Sequence, residues 1–220
     1  MKPTRIRAAL VSAALATVLT AVGGGTAQAR QSWDEAAVPA AASGGTPTTG
    51  RNSCLSTDGT DLNALLTVRE QIIGPPACRV AVARKPWVRS FPSWGTAADA
   101  ASAVYPADYV PSVPKPQDDF ILKFLGVRIV QDIGTPHERS FTFGPEVLQL
   151  VVPFEGLPFA TFASPALPGL KSGTHTTTVF MRLSSEHCDG LGTDREENCL
   201  PAGEFPYTGD TPFEVVKRHA

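Results

Sequence analysis

Residues 174–184 read Thr-His-Thr-Thr-Thr-Val-Phe-Met-Arg-Leu-Ser, and their alternation decides the fold class. His175, Thr177, Val179, Met181 and Leu183 share one face of an extended chain; Thr176, Thr178, Phe180 and Arg182 share the other. A period of two, rich in β-branched and aromatic side chains, predicts a strand with one face on a core. Apolar character rises along the first face from Val179, so the core is expected toward that end.

The same signal recurs on both sides. Val127, Ile129 and Val130 predict a strand that ends at the turn Gly134-Thr135-Pro136. Phe141 and Phe143 alternate with Ser140 and Thr142. Residues 147–152, apolar except for Gln149, form a short run suited to a strand, and 159–162 form another candidate. Phe213 and Val215, with Thr211 on the same face, make a closing strand. Upstream, Cys78, Val80 and Val82 alternate with smaller or polar residues and are expected to face the core together. Leu62, Leu65 and Leu66 fall at helical spacing behind Thr60 and Asp61, two candidate caps, and predict one short helix that stops by Gly74-Pro75-Pro76. Phe120, Ile121, Phe124 and Leu125 fit either a helical turn or the start of a strand. About seven strands after Cys78, joined by Gly and Pro turns, predict a mainly β sandwich or barrel.

The segment Leu170-Lys171-Ser172-Gly173-Thr174-His175, with the alternating run to Leu183, resembles the start of a late strand in immunoglobulin-like and fibronectin-III-like sandwiches of exported bacterial proteins. The resemblance spans roughly residues 120–216 and implies an immunoglobulin-like antiparallel sandwich. Such a fold carries no activity by itself.

The N-terminus has its own pattern. Lys2, Arg5 and Arg7 precede an apolar run at 8–22, and Ala27-Gln28-Ala29 offers a small-residue cleavage site. A basic start, a short apolar middle and an A-x-A exit predict a signal peptide over residues 1–29 and a secreted, extracellular protein. The run is too short to span a bilayer, and no later one is long enough, so no membrane span is expected in the mature chain. Residues 30–53, rich in Ala, Gly, Pro, Ser and Thr, are expected to form a flexible leader. Residues 54–220 are then a single β-sandwich domain. The chain has 19 basic and 21 acidic residues, and removing the three basic residues of the signal leaves a formal net charge of −5. That balance argues against nucleic acid or an anionic membrane as partner.

Four cysteines in an exported chain read as two disulfides. Of the three possible pairings, the local one is expected: Cys54 with Cys78 and Cys188 with Cys199. A zinc site would want closer C-x-x-C spacing or histidines at ligand spacing.

Two segments are candidate binding sites. The proline-punctuated stretch 86–118 reads as a long irregular connection carrying Trp87, Trp94, Tyr105 and Tyr109. These rings either cover the end of a sheet or form a platform for an extracellular glycan or protein. The loop between Cys188 and Cys199 gathers Asp189, Asp194, Glu196, Glu197 and Asn198. Hard oxygen ligands suit calcium, although the D-x-D-x-D-G order of an EF-hand is missing, and a solvated acidic loop fits equally. No other cofactor is indicated.

Catalytic motifs are missing. There is no Gly-x-Ser-x-Gly elbow, no H-E-x-x-H, no Gly-rich phosphate loop and no dinucleotide fingerprint. His187-Cys188 lacks the downstream Gly-Asp-Ser-Gly of chymotrypsin-like proteases. The leading expectation is therefore a secreted, non-enzymatic binding or envelope-associated module of unknown ligand and oligomeric state. The alternatives are a secreted hydrolase using acidic residues, with Asp118, Asp119 and Glu186 first in line, and a purely structural accessory domain.

Overall fold

A computed structural model of the chain describes residues 54–56, 59–74 and 78–217. The expected signal peptide and leader lie outside the described residues. Eleven strands occur among them: β1 (Gln71–Ile73), β2 (Val80–Val82), β3 (Trp87–Gly95), β4 (Phe124–Gln131), β5 (Arg139–Phe143), β6 (Leu148–Phe154), β7 (Leu157–Ala163), β8 (Gly173–Leu183), β9 (His187–Cys188), β10 (Cys199–Leu200) and β11 (Gly203–Val216). Three short helices join them: α1 (Leu62–Leu65), α2 (Pro116–Lys123) and α3 (Arg195–Asn198).

Four strands in the order β1-β3-β7-β6 form one sheet, and five in the order β2-β11-β8-β4-β5 form the other. The main core lies between them. Phe91, Trp94, Ala160 and Phe162 from the first sheet meet Phe124, Val127, Ile129, Val179, Met181 and Leu183 from the second. A second cluster joins Trp87 to Phe213 and Val215, with the Trp87 and Phe213 ring centroids 5.5 Å apart. The mainly β, sandwich-like class expected from the sequence is present. The face of β8 expected to be buried is the buried one, with Thr177, Val179 and Met181 at 0 % exposure.

Several details depart from the expectation. β1 pairs with β3, and β2 with β11, in parallel, so both sheets are mixed rather than wholly antiparallel. A strand of three residues at a sheet edge has almost no periodicity, so nothing in the local pattern announces β1. The helix expected near Leu62 forms with Asp61 as its cap, but α2 and α3 add to it. β2 is turned over: Val80 is 61 % exposed and Ala81 is buried beside Val215. The bridge between Gly74 and Cys78 bends the chain, so Cys78 belongs to a separate cluster near Leu66 and Val88. The stretch 86–118 is not one irregular connection. Its first third is β3, which accommodates Pro92 at a register shift between Phe91 and Trp94, a place where a missing N–H costs no ladder bond.

Both disulfides join the expected partners, Cys54 to Cys78 and Cys188 to Cys199. The second ties β9 to β10 across directly paired positions. No helix among the described residues is long and apolar enough to cross a membrane.

Arg89 on β3 is fully buried between the sheets. Its Nε donates to Thr177 Oγ1 on β8 at 2.8 Å, and Nη2 donates to Thr211 Oγ1 on β11 at 3.3 Å. Nη1 reaches the carbonyls of Ile73 and Ser90. All four of these acceptors are neutral oxygens; no carboxylate is among them.

Candidate functional site

The end of the sandwich beyond Trp94 carries the densest chemistry. It is built on α2, whose sequence is Pro-Gln-Asp-Asp-Phe-Ile-Leu-Lys. Pro116 opens the helix, where its missing N–H is harmless. Phe120 and Phe124, four apart, are both buried and anchor the helix to the core. With that face fixed inward, a turn of about 3.6 residues places Gln117, Asp119 and Lys123 on the flanks of the buried arc. Ile121 and Leu122 are left outside, 43 % and 61 % exposed, beside Leu125 at 47 %. Gln117, Asp119 and Lys123 point in, while Ile121 and Leu122 point out with Asp118. Gly126, at φ +115°, lies inside β4 at its register shift against β8, between Phe124 and Gly126; a Cβ there would strike Phe143 O at 2.2 Å.

Asp119 is the hub of the inward side and is 0 % exposed. Its Oδ2 accepts from Lys123 Nζ at 2.7 Å, Tyr109 Oη at 2.8 Å and His187 Nδ1 at 2.8 Å. Its Oδ1 accepts from the backbone N–H of Ser112 at 2.6 Å. Lys123 Nζ completes its shell on Tyr109 Oη at 2.9 Å and Glu186 O at 2.8 Å. One carboxylate thus pins three segments: the connection 96–115, α2, and the hairpin stapled by Cys188–Cys199.

The electrostatics follow from this shell. Burial alone would raise the Asp119 carboxyl, but the bonds from His187, Lys123, Tyr109 and Ser112 outweigh it and hold the group well below the usual carboxylate range. Burial lowers His187, and the Lys123 charge adds to that, against the opposing pull of Asp119. His187 is therefore neutral near pH 7. Since a carboxylate only accepts, its proton sits on Nδ1, and the Nε2 lone pair faces inward beside Trp94 and Phe120. Nε2 is buried with no hydrogen-bond partner among the described residues. Such an Asp–His pair has the tautomer of a general base, but a base must lie within hydrogen-bond reach of the proton it takes.

Asp189, next to the Cys188 staple, is 2 % exposed. Burial pushes its carboxyl up to about 7, opposed only in part by the N–H of Leu191 at 2.8 Å. Between the ordinary carboxyl value of about 4 and about 7 the folded protein holds a proton that the unfolded chain has released. Stability must then fall as pH rises through that window. Asp189→Asn is expected to be more stable than wild type by about 1–3 kcal/mol at pH 8, since each tenfold change in proton affinity is worth about 1.4 kcal/mol. The difference should vanish below pH 4. Urea unfolding across pH reads both.

The expected site residues divide as follows. Trp87 and Trp94 are core residues, each 1 % exposed, so they offer no ring face to a ligand. Tyr105 and Tyr109 are half-buried, 5.1 Å apart, and Tyr109 serves the Asp119 network. The four rings do not form one exposed platform. The loop oxygens do not converge either. Asp194 caps α3 through the Glu196 N–H at 2.9 Å, Asn198 Nδ2 donates to Asp194 O, and Glu196 and Glu197 are exposed, while Asp189 is turned inward. Among the described residues, the ligand atoms that cluster are those of Glu186, Cys188 and Cys199, and both sulfurs are spent in the disulfide. Asp118 is exposed beside Lys115, and Glu186 pairs with Arg195, which also holds Asp108 at 2.6 Å. The acids expected to serve hydrolysis therefore do not face one another. No sequence motif marks Lys123 or His187 as members of the network. The spacing of Asp119 and Lys123, four apart, is the one local signal of it.

No protein-family model, curated protein or solved structure matches this chain.

Proposed function

We propose that this protein is an exported, non-enzymatic binding module that docks a protein partner through the outward aliphatic turn of Ile121, Leu122 and Leu125. The observation that carries the reading is the inversion of α2. A helix that buries a lysine and an aspartate while exposing isoleucine and leucine presents an apolar contact surface held by a rigid ionic base. The basic-apolar-small pattern of residues 1–29 and the two disulfides support an extracellular setting. The two buried tryptophans favour a protein over a stacked glycan.

The second reading, an exported hydrolase, draws on the Asp119–His187 pair. The burial of Nε2 weighs against it.

The test compares the mature wild type with the double variant Ile121→Glu, Leu122→Glu. Both side chains are exposed, so the thermal midpoint should stay within a few degrees. Binding to proteins of the source envelope or culture supernatant should weaken at least tenfold. Unchanged binding would remove the docking surface, and hydrolytic turnover abolished by His187→Ala would establish the rival.

A further inference from the structure

Buried polar atoms in folded proteins are paired, and an exception calls for a partner. Three exceptions lie at the end of the sandwich under α2: Trp94 Nε1 on β3, Gln117 Nε2 on α2 and His187 Nε2 on β9. All three side chains are buried, with exposures of 1 %, 1 % and 0 %. None of the three atoms has a hydrogen-bond partner among the described residues.

Phe120 brings the three residues together. Its ring lies 5.3 Å from the His187 ring and 6.4 Å from the Trp94 ring. The Trp94 and His187 rings are themselves 6.2 Å apart, edge to face at 69°. Gln117 precedes Phe120 by three positions, on the same side of α2. Its Oε1 accepts a long bond of 3.5 Å from Thr96 Oγ1, two residues past Trp94. The Gln117 amide is therefore held beside the end of β3, with its NH2 left over. Asp119 sets the polarity of the third atom. The 2.8 Å bond from His187 Nδ1 to Asp119 takes the ring proton and leaves a lone pair on Nε2.

The polarity of these atoms restricts what can satisfy them. Two N–H donors exclude a metal ion. A lone pair excludes an anion such as chloride. A neutral group that both accepts and donates suits all three, and full burial limits its size. We infer that this end of the sandwich binds one internal water, which accepts from Trp94 Nε1–H and Gln117 Nε2–H and donates to His187 Nε2. Three bonds are the usual complement of a buried water. The choice survives a turn of the Gln117 amide, which exchanges one donor for one acceptor: water has two protons and two lone pairs and matches either set. The water ties α2 and β9 to β3, as Asp119 ties them to the connection 96–115. Both nitrogens of His187 then have structural work, one on the carboxylate and one on the water.

Two measurements on the mature chain test this. A high-resolution crystal structure should show a single-atom peak about 2.7–3.2 Å from the Trp94 indole nitrogen, the Gln117 amide and His187 Nε2 together. Water-selective NOE spectroscopy should show a cross-peak from bound water to the Trp94 indole proton, identified by its loss in Trp94→Phe. Trp87 is the control. It is equally buried, but its indole donates to Pro168 O at 3.0 Å, so it should show no such cross-peak. Gln117→Leu removes one of the three partners without touching the Asp119 shell and should weaken the Trp94 cross-peak about threefold or more. Three results overturn the inference: no peak among the three groups, a direct bond from Trp94 or Gln117 to His187 Nε2, or density larger than one atom. A cross-peak indifferent to Gln117→Leu overturns it too. If Gln117→Leu does not fold, the crystal structure decides alone, and a water bonded to fewer than three of these groups is equally fatal.

Discussion

Asp119→Asn is expected to lower the unfolding free energy by about 3–5 kcal/mol, the cost of leaving a buried cation without its counter-ion. The substitution keeps the shape and removes the charge. Lys123, 3 % exposed, would then lose its anionic partner and keep neutral acceptors, Tyr109 Oη, Glu186 O and at best the amide oxygen of the new side chain. The loss should be felt first where the carboxylate pins the chain, so amide exchange should rise at Ser112 and across the His187–Cys188 strand before it rises in β8. A second variant separates charge from packing. Asp119→Leu combined with Lys123→Met removes both ions together and should recover a substantial part of the loss, because apolar replacements avoid desolvating charge. The pH dependence has a definite sign. The Asp119 carboxyl is depressed in the folded state, so its stabilisation is complete above the unfolded value of about 4 and is lost as pH falls below it. Asp119→Asn should flatten this acid limb. A cost below 1 kcal/mol would show that the network does not hold this end of the sandwich together.

Arg89→Ala is expected to cost about 3–5 kcal/mol by two additive routes: a cavity between the sheets, and buried oxygens stripped of their donor. Thr177, Thr211 and the carbonyls of Ile73 and Ser90 all lose a partner at once. Burial, reinforced by the charge of Arg79, lowers the guanidinium to about 9, which leaves it cationic at neutral pH. Arg89→Met should cost clearly less than the alanine, since it refills the volume and removes a buried charge whose hydrogen-bond partners among the described residues are all neutral. Arg89→Lys should fall between them, because a single ammonium cannot span Thr177 and Thr211 as the planar fork does. Chemical denaturation of the three variants gives the order. If methionine proved as costly as alanine, the hydrogen bonds rather than the filled volume would account for the whole effect.

The alternation in residues 174–184 is sufficient to orient the central strand, the same rule marks β5 and the end of β11, and short apolar runs mark β4, β6 and β7. Periodicity is a local property: a strand half-buried against any core shows it. The cysteine pairing is equally local, since each pair brackets one short excursion of chain. Where a segment is too short for a period to develop, as in β1 and β2, periodicity is silent or puts the wrong face inward. The tryptophans show a different limit. Trp87 and Trp94 are apolar enough for a core and large enough for a binding platform, and nothing in their neighbours along the chain separates the two.

The mainly β class and the local disulfide pairing were legible in the sequence, because each depends on residues close together along the chain. Tertiary structure alone decided that Asp119, 68 positions from His187, meets it in a buried shell, and that Arg89 on one sheet reaches Thr177 and Thr211 on the other. Burial and charge pairing depend on which elements pack together, and two phenylalanines anchoring α2 were enough to turn Gln117, Asp119 and Lys123 inward and Ile121 and Leu122 outward.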